Sequence, residues 1–283
     1  AGCLGIIASA TFEPDGLREE IHKTRSLTDK PFAVNINLFP STSPFKPEQY
    51  IAAALEEGVS IIETSGRSPE PYMGLIRQGK VTFIHKCARS RDAVKVASLG
   101  ADAVSIVGFE CGGHPGMDDV TSLILTPLTV DLVSIPVVAG GGFMDGRGVV
   151  AARALGADGV VMGTRFMATQ ECPIHPNAKE WMVKAGEADT MIIQRSIRSN
   201  SRVIKNEPAL KVAEMEARGA SLEELLSVMG GARGRLLITE GEMNAGTMAC
   251  GEAVALIRDI PTVHEVVERI MSEAEEIRQR LAK

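Results

Sequence analysis

Seven short apolar runs recur along the first 168 residues, and longer segments with apolar residues at helical spacing separate them. The runs lie at 4–8, 32–38, 59–64, 81–86, 103–107, 137–139 and 159–162. A short buried strand followed by a helix, repeated at this interval, is typical of a parallel sheet built from βαβ units. The pattern therefore predicts an α/β fold, and it fits both an open doubly wound sheet and a closed (β/α)8 TIM barrel.

A repeated phrase favours the barrel. Leu-Gly-Ala-Asp, followed by a small residue and Val, occurs at 99–104 and again at 155–160, and it resembles the helix-to-strand joints of phosphate-binding barrels. Seven runs are one fewer than a barrel of eight strands needs. Because residues 1–5 resemble the loop that leads into a second strand, we expect the first strand of the barrel to be missing from this sequence.

The composition of the chain changes after residue 168. Helical patterns dominate from about residue 170 to 235, and the charged run at 262–283 has apolar residues at helical spacing. We therefore predict a helical insertion, or lid, domain at 169–235. The barrel would then comprise residues 1–168 and 236–283, with the charged run as its last helix.

Charge and cysteine usage exclude several functional classes. The net charge of −6 leaves no basic surface for a nucleic-acid backbone, and no apolar run has the roughly 18 residues of a membrane span. The five cysteines are widely spaced and include no C-x-x-C pair, which suggests reduced thiols and no zinc site. The sequence thus predicts a cytoplasmic protein that binds neither nucleic acid, membrane nor metal.

Glycines end two of the predicted strands. Gly140, Gly141 and Gly142 follow the run at 137–139, and Gly163 and Thr164 follow the run at 159–162. Bare backbone amides at a strand end or helix N-terminus attract an anion, so these two turns predict a phosphate site. The alternative is that the glycines only allow tight turns.

Polar residues interrupt two other strands. Lys86 ends an apolar strand, where its charge must be paired across the barrel or face the barrel mouth. Asn35 and Asn37 lie two residues apart on one strand and therefore share a face. These side chains are candidates for contacts to a bound ligand.

His114 is the candidate for acid–base chemistry. It lies in the loop Gly112-Gly-His-Pro-Gly116, directly after a predicted strand, where glycines allow close approach of the backbone and proline stiffens the turn. An ordinary imidazole pKa near 6.5 suits a general base. A purely structural histidine in the loop is the alternative.

Together these pieces resemble the nitronate monooxygenase family, also called 2-nitropropane dioxygenase-like, whose members are FMN-binding (β/α)8 barrels. The segments that carry the resemblance are Asp29-Lys-Pro-Phe-Ala-Val-Asn-Ile-Asn-Leu38, His85-Lys86, Gly108-Phe-Glu-Cys-Gly-Gly-His-Pro-Gly116, Ala139-Gly-Gly-Gly142, Asp145-Gly146, Met162-Gly-Thr-Arg-Phe166, Glu171-Cys-Pro-Ile-His-Pro176 and Ala245-Gly-Thr-Met-Ala-Cys-Gly251. They span more than 200 residues in the expected order, which makes the match specific.

The resemblance assigns roles to the candidate residues. It implies that the glycine turns and Thr164 hold the FMN phosphate, that Lys86 lies beside the pyrimidine edge of the flavin, and that amide side chains contact the isoalloxazine ring. The cofactor-binding residues that it implies are Asn35, Asn37, Lys86, Gly112, Gly140, Gly141, Gly142, Gly163 and Thr164.

The resemblance leaves the reaction open. It implies that His114 takes a proton from a nitroalkane or positions a nitronate, which oxygen converts to a carbonyl compound and nitrite. Many members carry arginine after this histidine, whereas this chain has Pro115, and that departure resembles a subgroup of NAD(P)H:quinone reductases. NADH would then be a co-substrate. An FMN-dependent enoyl-acyl-carrier-protein reductase is a third reading. The predicted partner is a small-molecule substrate, which is a nitronate for the monooxygenase and a quinone for the quinone reductase. A homodimer is possible.

Overall fold

A computed structural model describes residues 2–39, 44–229 and 231–283. The chain divides into two compact units. The N-terminal unit comprises Gly2–Ile106 and Leu128–Val138, and the C-terminal unit comprises Val107–Pro127 and Ala139–Lys283. These units differ from the predicted barrel and insertion domains, whose boundaries stay a prediction.

Seven strands alternate with helices along the first part of the chain, as the sequence predicts. The strands are β1 (Ile6–Ala8), β2 (Ala33–Asn37), β3 (Ile61–Ser65), β4 (Thr82–Cys87), β5 (Ala103–Val107), β6 (Val137–Gly140) and β7 (Gly159–Val161). In the sheet they follow one another in chain order, and the pairs from β1 to β5 are parallel. A doubly wound sheet reverses its strand order part-way, so the sequential order is that of a βα barrel.

Helices separate the strands and continue beyond them. They are α1 (Pro14–Leu27), α2 (Pro47–Glu56), α3 (Met73–Gln78), α4 (Ser90–Ser98), α5 (Ser122–Val130), α6 (Gly146–Ala154), α7 (Thr164–Met167), α8 (Pro176–Lys184), α9 (Glu207–Ala217), α10 (Leu222–Met229), α11 (Gly231–Glu240) and α12 (Val263–Leu281). Among the residues that the structure describes, no helix is both long enough and apolar enough to cross a membrane.

Side chains alternate between the two faces of the strands in the N-terminal unit. Val34, Ile62 and Phe83 lie on one face and are buried in a core with residues of α1 and α2, such as Leu17 and Ile51. The neighbouring strand residues face the opposite way, because successive side chains of a strand point to opposite sides. Polar residues are concentrated on that second face.

The C-terminal unit packs α6 closely against α12. A Cβ atom at Gly146 would lie only 2.5 Å from the backbone nitrogen of Ala274, so glycine allows the two helices to touch. Helix α12 begins at a capping box, in which Thr262 and Glu265 each accept a backbone N–H from the other. The charged run at 262–283 is thus helical as predicted, and its place as the last barrel helix stays a prediction.

The segment predicted to be purely helical also contains a hairpin. Strands β8 (Thr190–Ile193) and β9 (Ser201–Ile204) pair antiparallel between α8 and α9. Each strand has only four residues, too few to show a clear alternation, and the connecting turn holds Gln194 and Arg198 at positive φ. Glutamine and arginine, unlike glycine, do not indicate a left-handed turn in a sequence. The hairpin was therefore not predicted.

Candidate active site

The turn after β6 in the C-terminal unit requires its glycines. Gly141 and Gly142 have φ values of +88° and +80°, in the left-handed region that favours glycine. A Cβ atom at Gly140 would lie 2.7 Å from a methyl group of Val161 and 2.9 Å from one of Val107. The backbone therefore enters the turn between two neighbouring strands with no room for a side chain.

Ser122, the first residue of α5, fixes the carbonyl groups of this turn. Its Oγ lies 2.9 Å from the carbonyl oxygen of Gly140 and 2.7 Å from that of Gly141. Gly108 also donates its N–H to the Gly140 oxygen at 3.0 Å. The carbonyl oxygens thus have donors within the protein.

Glu110 in turn holds Ser122. Its carboxylate accepts the backbone N–H of Ser122 at 2.9 Å and lies 3.0 Å from Ser122 Oγ. A Cβ atom at Gly142 would lie 3.6 Å from the Glu110 side chain, so the carboxylate lies next to the turn. Glu110 could not be predicted from the sequence, because a carboxylate in a loop carries no signal until its hydrogen-bond partners are known.

The second glycine turn follows β7 and leads into α7. A Cβ atom at Gly163 would meet nothing within 4 Å, so the space in front of this residue is open. Thr164 Oγ1 accepts the N–H of Gly251 at 3.0 Å, and it also interacts with the Cys250 thiol. The hydroxyl predicted to hold phosphate is therefore engaged within the protein, whereas the Thr164 amide heads a helix.

Backbone amides of the two turns meet the chemical requirements of an anion site. In the part of the chain that the structure describes, no backbone carbonyl accepts the N–H of Gly142, Gly163 or Thr164. Strands β6 and β7 are neighbours in the sheet, so their ends meet at one edge. Bare amides at such an edge suit a phosphate group. The residues present fit the phosphate of a nucleotide cofactor.

A buried carboxylate organises the polar face of the N-terminal unit. Glu63 on β3 is fully buried and accepts hydrogen bonds from Asn35 Nδ2 at 2.6 Å and Ser105 Oγ at 3.2 Å. Lys86 Nζ forms an ion pair with Glu63 Oε2 at 3.2 Å while the lysine side chain stays 30% exposed. We call Asn35, Glu63, Lys86 and Ser105 the Glu63 cluster.

Strand register explains how the Glu63 cluster forms. Asn35 of β2 lies opposite Glu63, and Lys86 of β4 lies opposite Ser105 of β5. The sequence predicted Asn35 and Lys86 as candidates but missed Glu63, since the register between strands decides which polar side chains meet. Lys86 is ion-paired with Glu63 and partly exposed, and its predicted contact with a flavin stays a prediction.

Asn37 is engaged differently from Asn35. Its side-chain oxygen accepts the backbone N–H of Phe39 at 2.9 Å, which makes a turn just after β2. Its side chain is exposed, and among the described residues it makes no hydrogen bond to the Glu63 cluster. Its predicted contact with a cofactor stays a prediction.

The loop that carries His114 is tied to β9. Gly113 has a φ of +75° and exchanges two backbone hydrogen bonds with Arg202, at 3.0 and 2.6 Å. A Cβ atom at Gly112 would lie 2.8 Å from the backbone nitrogen of Gly251, so the loop also touches the segment at 250–251. The predicted close approach of the loop backbone is thus to other protein segments.

The pKa of His114 is lowered by partial desolvation, although the residue is exposed at the surface. Neighbouring protein atoms lower its imidazole pKa from the ordinary 6.5. A lowered pKa keeps the ring neutral at pH 7, and a neutral imidazole is the form that accepts a proton. His114 therefore has the charge state of a general base.

Arg202 is a buried charge that the sequence analysis missed. Its guanidinium donates to the Phe109 carbonyl oxygen through Nε at 3.1 Å and Nη2 at 3.0 Å, and it lies 4.5 Å from the centre of the Phe109 ring. Nη1 pairs with Glu252 at 2.8 Å. Burial lowers the Arg202 pKa, and the Glu252 carboxylate opposes that shift. The side chain holds the start of the His114 loop.

The predicted site residues fall into two groups. Asn35, Asn37 and Lys86 belong to the N-terminal unit. Those of the C-terminal unit are Gly112, His114, Gly140, Gly141, Gly142, Gly163 and Thr164. In the described ranges, no group of three or more His, Cys, Asp and Glu side chains could hold a metal ion.

Comparison with known proteins identifies the family. A sequence model of the nitronate monooxygenase family matches residues 1–273. The chain belongs to the nitronate monooxygenase family. A probable nitronate monooxygenase of Staphylococcus saprophyticus is 31% identical, over 76% of this chain and 72% of the relative. The resemblance seen in the sequence is confirmed.

Some proteins similar to this chain have names other than nitronate monooxygenase. FabK from Thermotoga maritima is 36% identical, with a TM-score of 0.92 over 99% of this chain and 87% of its own. A Rhodococcus jostii (3aS,4S,5R,7aS)-5-hydroxy-7a-methyl-1-oxo-octahydro-1H-indene-4-carboxyl-CoA dehydrogenase is 33% identical, over 97% of this chain and 86% of the relative. These matches confirm the barrel-type α/β fold and an enzyme of the oxidoreductase class.

Proposed function

We propose that this family member is an FMN-dependent oxidoreductase that oxidises alkyl nitronates with oxygen to a carbonyl compound and nitrite. The observation that carries the proposal is the pair of glycine turns after β6 and β7. Their amides at Gly142, Gly163 and Thr164 lack backbone acceptors in the described chain, and they are suited to the FMN phosphate.

The Glu63 cluster supports contacts to the flavin ring. Lys86 and Asn35 belong to the polar face of the strands, and Glu63 restricts their orientation. When bound, FMN would supply the redox chemistry by accepting electrons from the substrate. A cation next to the ring would favour its reduced form, which carries more negative charge.

His114 is proposed as the base that removes the acidic C–H proton of a nitroalkane, which yields the nitronate that is then oxidised. A neutral imidazole is required, and the lowered pKa of His114 provides it at neutral pH. Because Arg202 and Gly113 restrict the loop backbone, the ring would be held rather than free to move with the loop.

A CoA thioester is a second candidate substrate. The observation that favours it is the match to the Rhodococcus jostii dehydrogenase, which covers 97% of this chain, whereas the Staphylococcus saprophyticus match covers 76%. A proton next to a thioester carbonyl is acidic for the same reason as one next to a nitro group. His114 would serve as the base with a nitroalkane or with a thioester.

Anaerobic flavin reduction tests the proposal. The purified protein should show the flavin absorbance band near roughly 450 nm, since a bound FMN is required. In separate samples an alkyl nitronate, an acyl-CoA thioester or NADH would then be added without oxygen. Bleaching by the nitronate supports the proposal, and bleaching by the thioester alone supports the second candidate.

The remaining outcomes overturn these assignments. Bleaching by NADH followed by reoxidation with a quinone would establish an NAD(P)H:quinone reductase instead. Reoxidation only by an enoyl thioester would establish an enoyl reductase. Failure of the folded protein to bind added FMN would refute a flavoenzyme of any of these kinds.

A further inference from the structure

Glu63 is a buried charge whose electrostatic effect on a bound flavin the proposed function does not assign. The side chain is 1% exposed and receives three donors, from Asn35, Lys86 and Ser105. A buried carboxylate is tolerated only where opposite charge and hydrogen bonds compensate it. Here both Lys86 and Asn35, the two proposed ring contacts of this unit, compensate the same carboxylate.

The pair changes the charge that Lys86 presents to a ligand. A lone lysine would add a full positive charge beside a flavin, but Glu63 lies 3.2 Å from the Lys86 nitrogen. At a distance greater than this separation the two charges largely cancel, because their potentials are opposite in sign. The Glu63 cluster therefore presents a weaker positive field to a ligand beside Lys86 than a lone lysine would.

We propose that Glu63 is a positioning residue that sets the reduction potential of the bound flavin by offsetting the charge of Lys86. The inference rests on the proposed function, namely that FMN binds beside Lys86. Reduction of FMN adds negative charge to the ring system, so a nearby positive charge raises its potential and a negative charge lowers it. Glu63 keeps the potential lower than Lys86 alone would.

Glu63→Gln removes the charge while keeping the hydrogen bonds. The amide oxygen can replace Oε2 and accept from Asn35 and Lys86, and the amide NH2 then faces Ser105. The Ser105 hydroxyl can turn to accept instead of donate, because a hydroxyl does both. The variant therefore changes electrostatics with little change in shape.

Redox titration of the FMN-loaded protein tests the proposal. Glu63→Gln is expected to shift the flavin potential in the positive direction, raising the ratio of reduced to oxidised flavin about tenfold at a fixed applied potential. Lys86→Met should shift it in the negative direction. The double variant, which lacks both charges, should return close to the wild-type potential.

Glu70→Gln is the matched control. Glu70 belongs to the same unit and forms an ion pair with Lys95 at 2.6 Å, but both side chains are more than half exposed. The variant removes the same charge from the same unit, where solvent screens it. Its flavin potential should equal that of the wild type.

The outcomes separate this inference from the proposed function. If FMN does not bind to the wild type, both fail. If FMN binds and Glu63→Gln leaves the potential unchanged or lowers it, only the role of Glu63 is refuted. If Glu63→Gln does not fold, the double variant Glu63→Gln/Lys86→Met provides the test. A flavin potential equal to that of Lys86→Met would refute the role of Glu63 in offsetting the charge of Lys86. A return to the wild-type potential would support it.

Discussion

His114 makes activity depend on pH in a predictable direction. Because desolvation lowers its pKa, the neutral base persists below the ordinary value of 6.5 and is lost only at lower pH. With a nitroalkane as the substrate, we expect kcat/KM to fall as the pH is lowered, with a midpoint below 6.5. His114→Gln should lower kcat/KM by about 10²- to 10⁴-fold and abolish that acid limb. A His114→Gln enzyme with the same limb would assign the titration to another group.

His85 provides a separate test that concerns stability alone. It is 2% exposed on the core face of β4, bonded to Thr64 Oγ1 at 2.7 Å, and burial lowers its pKa to about 4. The unfolded chain binds a proton near pH 6.5, whereas the folded protein does not until about pH 4. The stability from this residue is therefore complete above 6.5 and is lost as the pH falls towards 4.

Between pH 6.5 and about 4, protonation of His85 in the unfolded chain is expected to lower the free energy of unfolding by about 3 kcal/mol. Urea unfolding measured at intervals from pH 7 to pH 4 would detect it. In His85→Gln, which cannot titrate, the free energy of unfolding should decline less steeply. Parallel slopes for the two proteins would show that other groups dominate acid denaturation.

At the scale of elements, the hairpin of β8 and β9 supports the His114 loop through Arg202. Arg202→Met keeps the length of the side chain but removes the donors to the Phe109 oxygen and leaves Glu252 without its partner. We expect kcat/KM to fall by at least about tenfold while FMN stays bound, since the phosphate amides lie on other turns. Hydrogen exchange across 109–116 should accelerate in the same variant.

Arg195→Met serves as the control for Arg202. Arg195 lies in the same hairpin and pairs with Asp119 at 3.0 Å, but the side chains are 47% and 44% exposed. Removing an exposed pair has a small effect, typically below about 1 kcal/mol. Equal losses of activity in the two variants would show that the hairpin charge matters and the Phe109 contact does not.

Sequence reasoning reached the strands and the glycine turns but not the partners of the site residues. Strand periodicity and glycine chemistry are local, so the seven strands and the turns at Gly140 and Gly163 could be predicted. Glu63 and Arg202 act through contacts with residues far along the chain, and one sequence does not reveal those contacts. The four-residue strands of the hairpin were missed because so short a pattern is ambiguous.

For the whole molecule, FMN binding should appear as added stability. A ligand that binds only the folded state stabilises it by about 2.7 kcal/mol when its free concentration is 100 times Kd. The midpoint of thermal unfolding should therefore rise with added FMN. Gly141→Ala should abolish the rise, because a Cβ atom there would lie 3.0 Å from the Gly108 oxygen on a left-handed backbone.

Gly159→Ala tests whether any glycine-to-alanine change would have that effect. A Cβ atom at Gly159 would meet nothing within 4 Å, and its φ is not positive. This variant should keep the full rise with FMN. If the unfolding midpoint of Gly159→Ala does not rise with FMN, the effect of Gly141→Ala is not specific to the turn after β6. If the midpoint of Gly141→Ala rises with FMN as in the wild type, that turn is not the phosphate site.

The contact between Arg202 and Phe109 also has a temporal consequence. The two residues are 93 positions apart, so the ribosome must add all of that intervening chain before the loop acquires its anchor. The glycine turns after β6 and β7 precede Arg202 in the chain and are synthesised earlier. On the nascent chain, the His114 loop therefore stays without its Arg202 anchor while both glycine turns have already been synthesised.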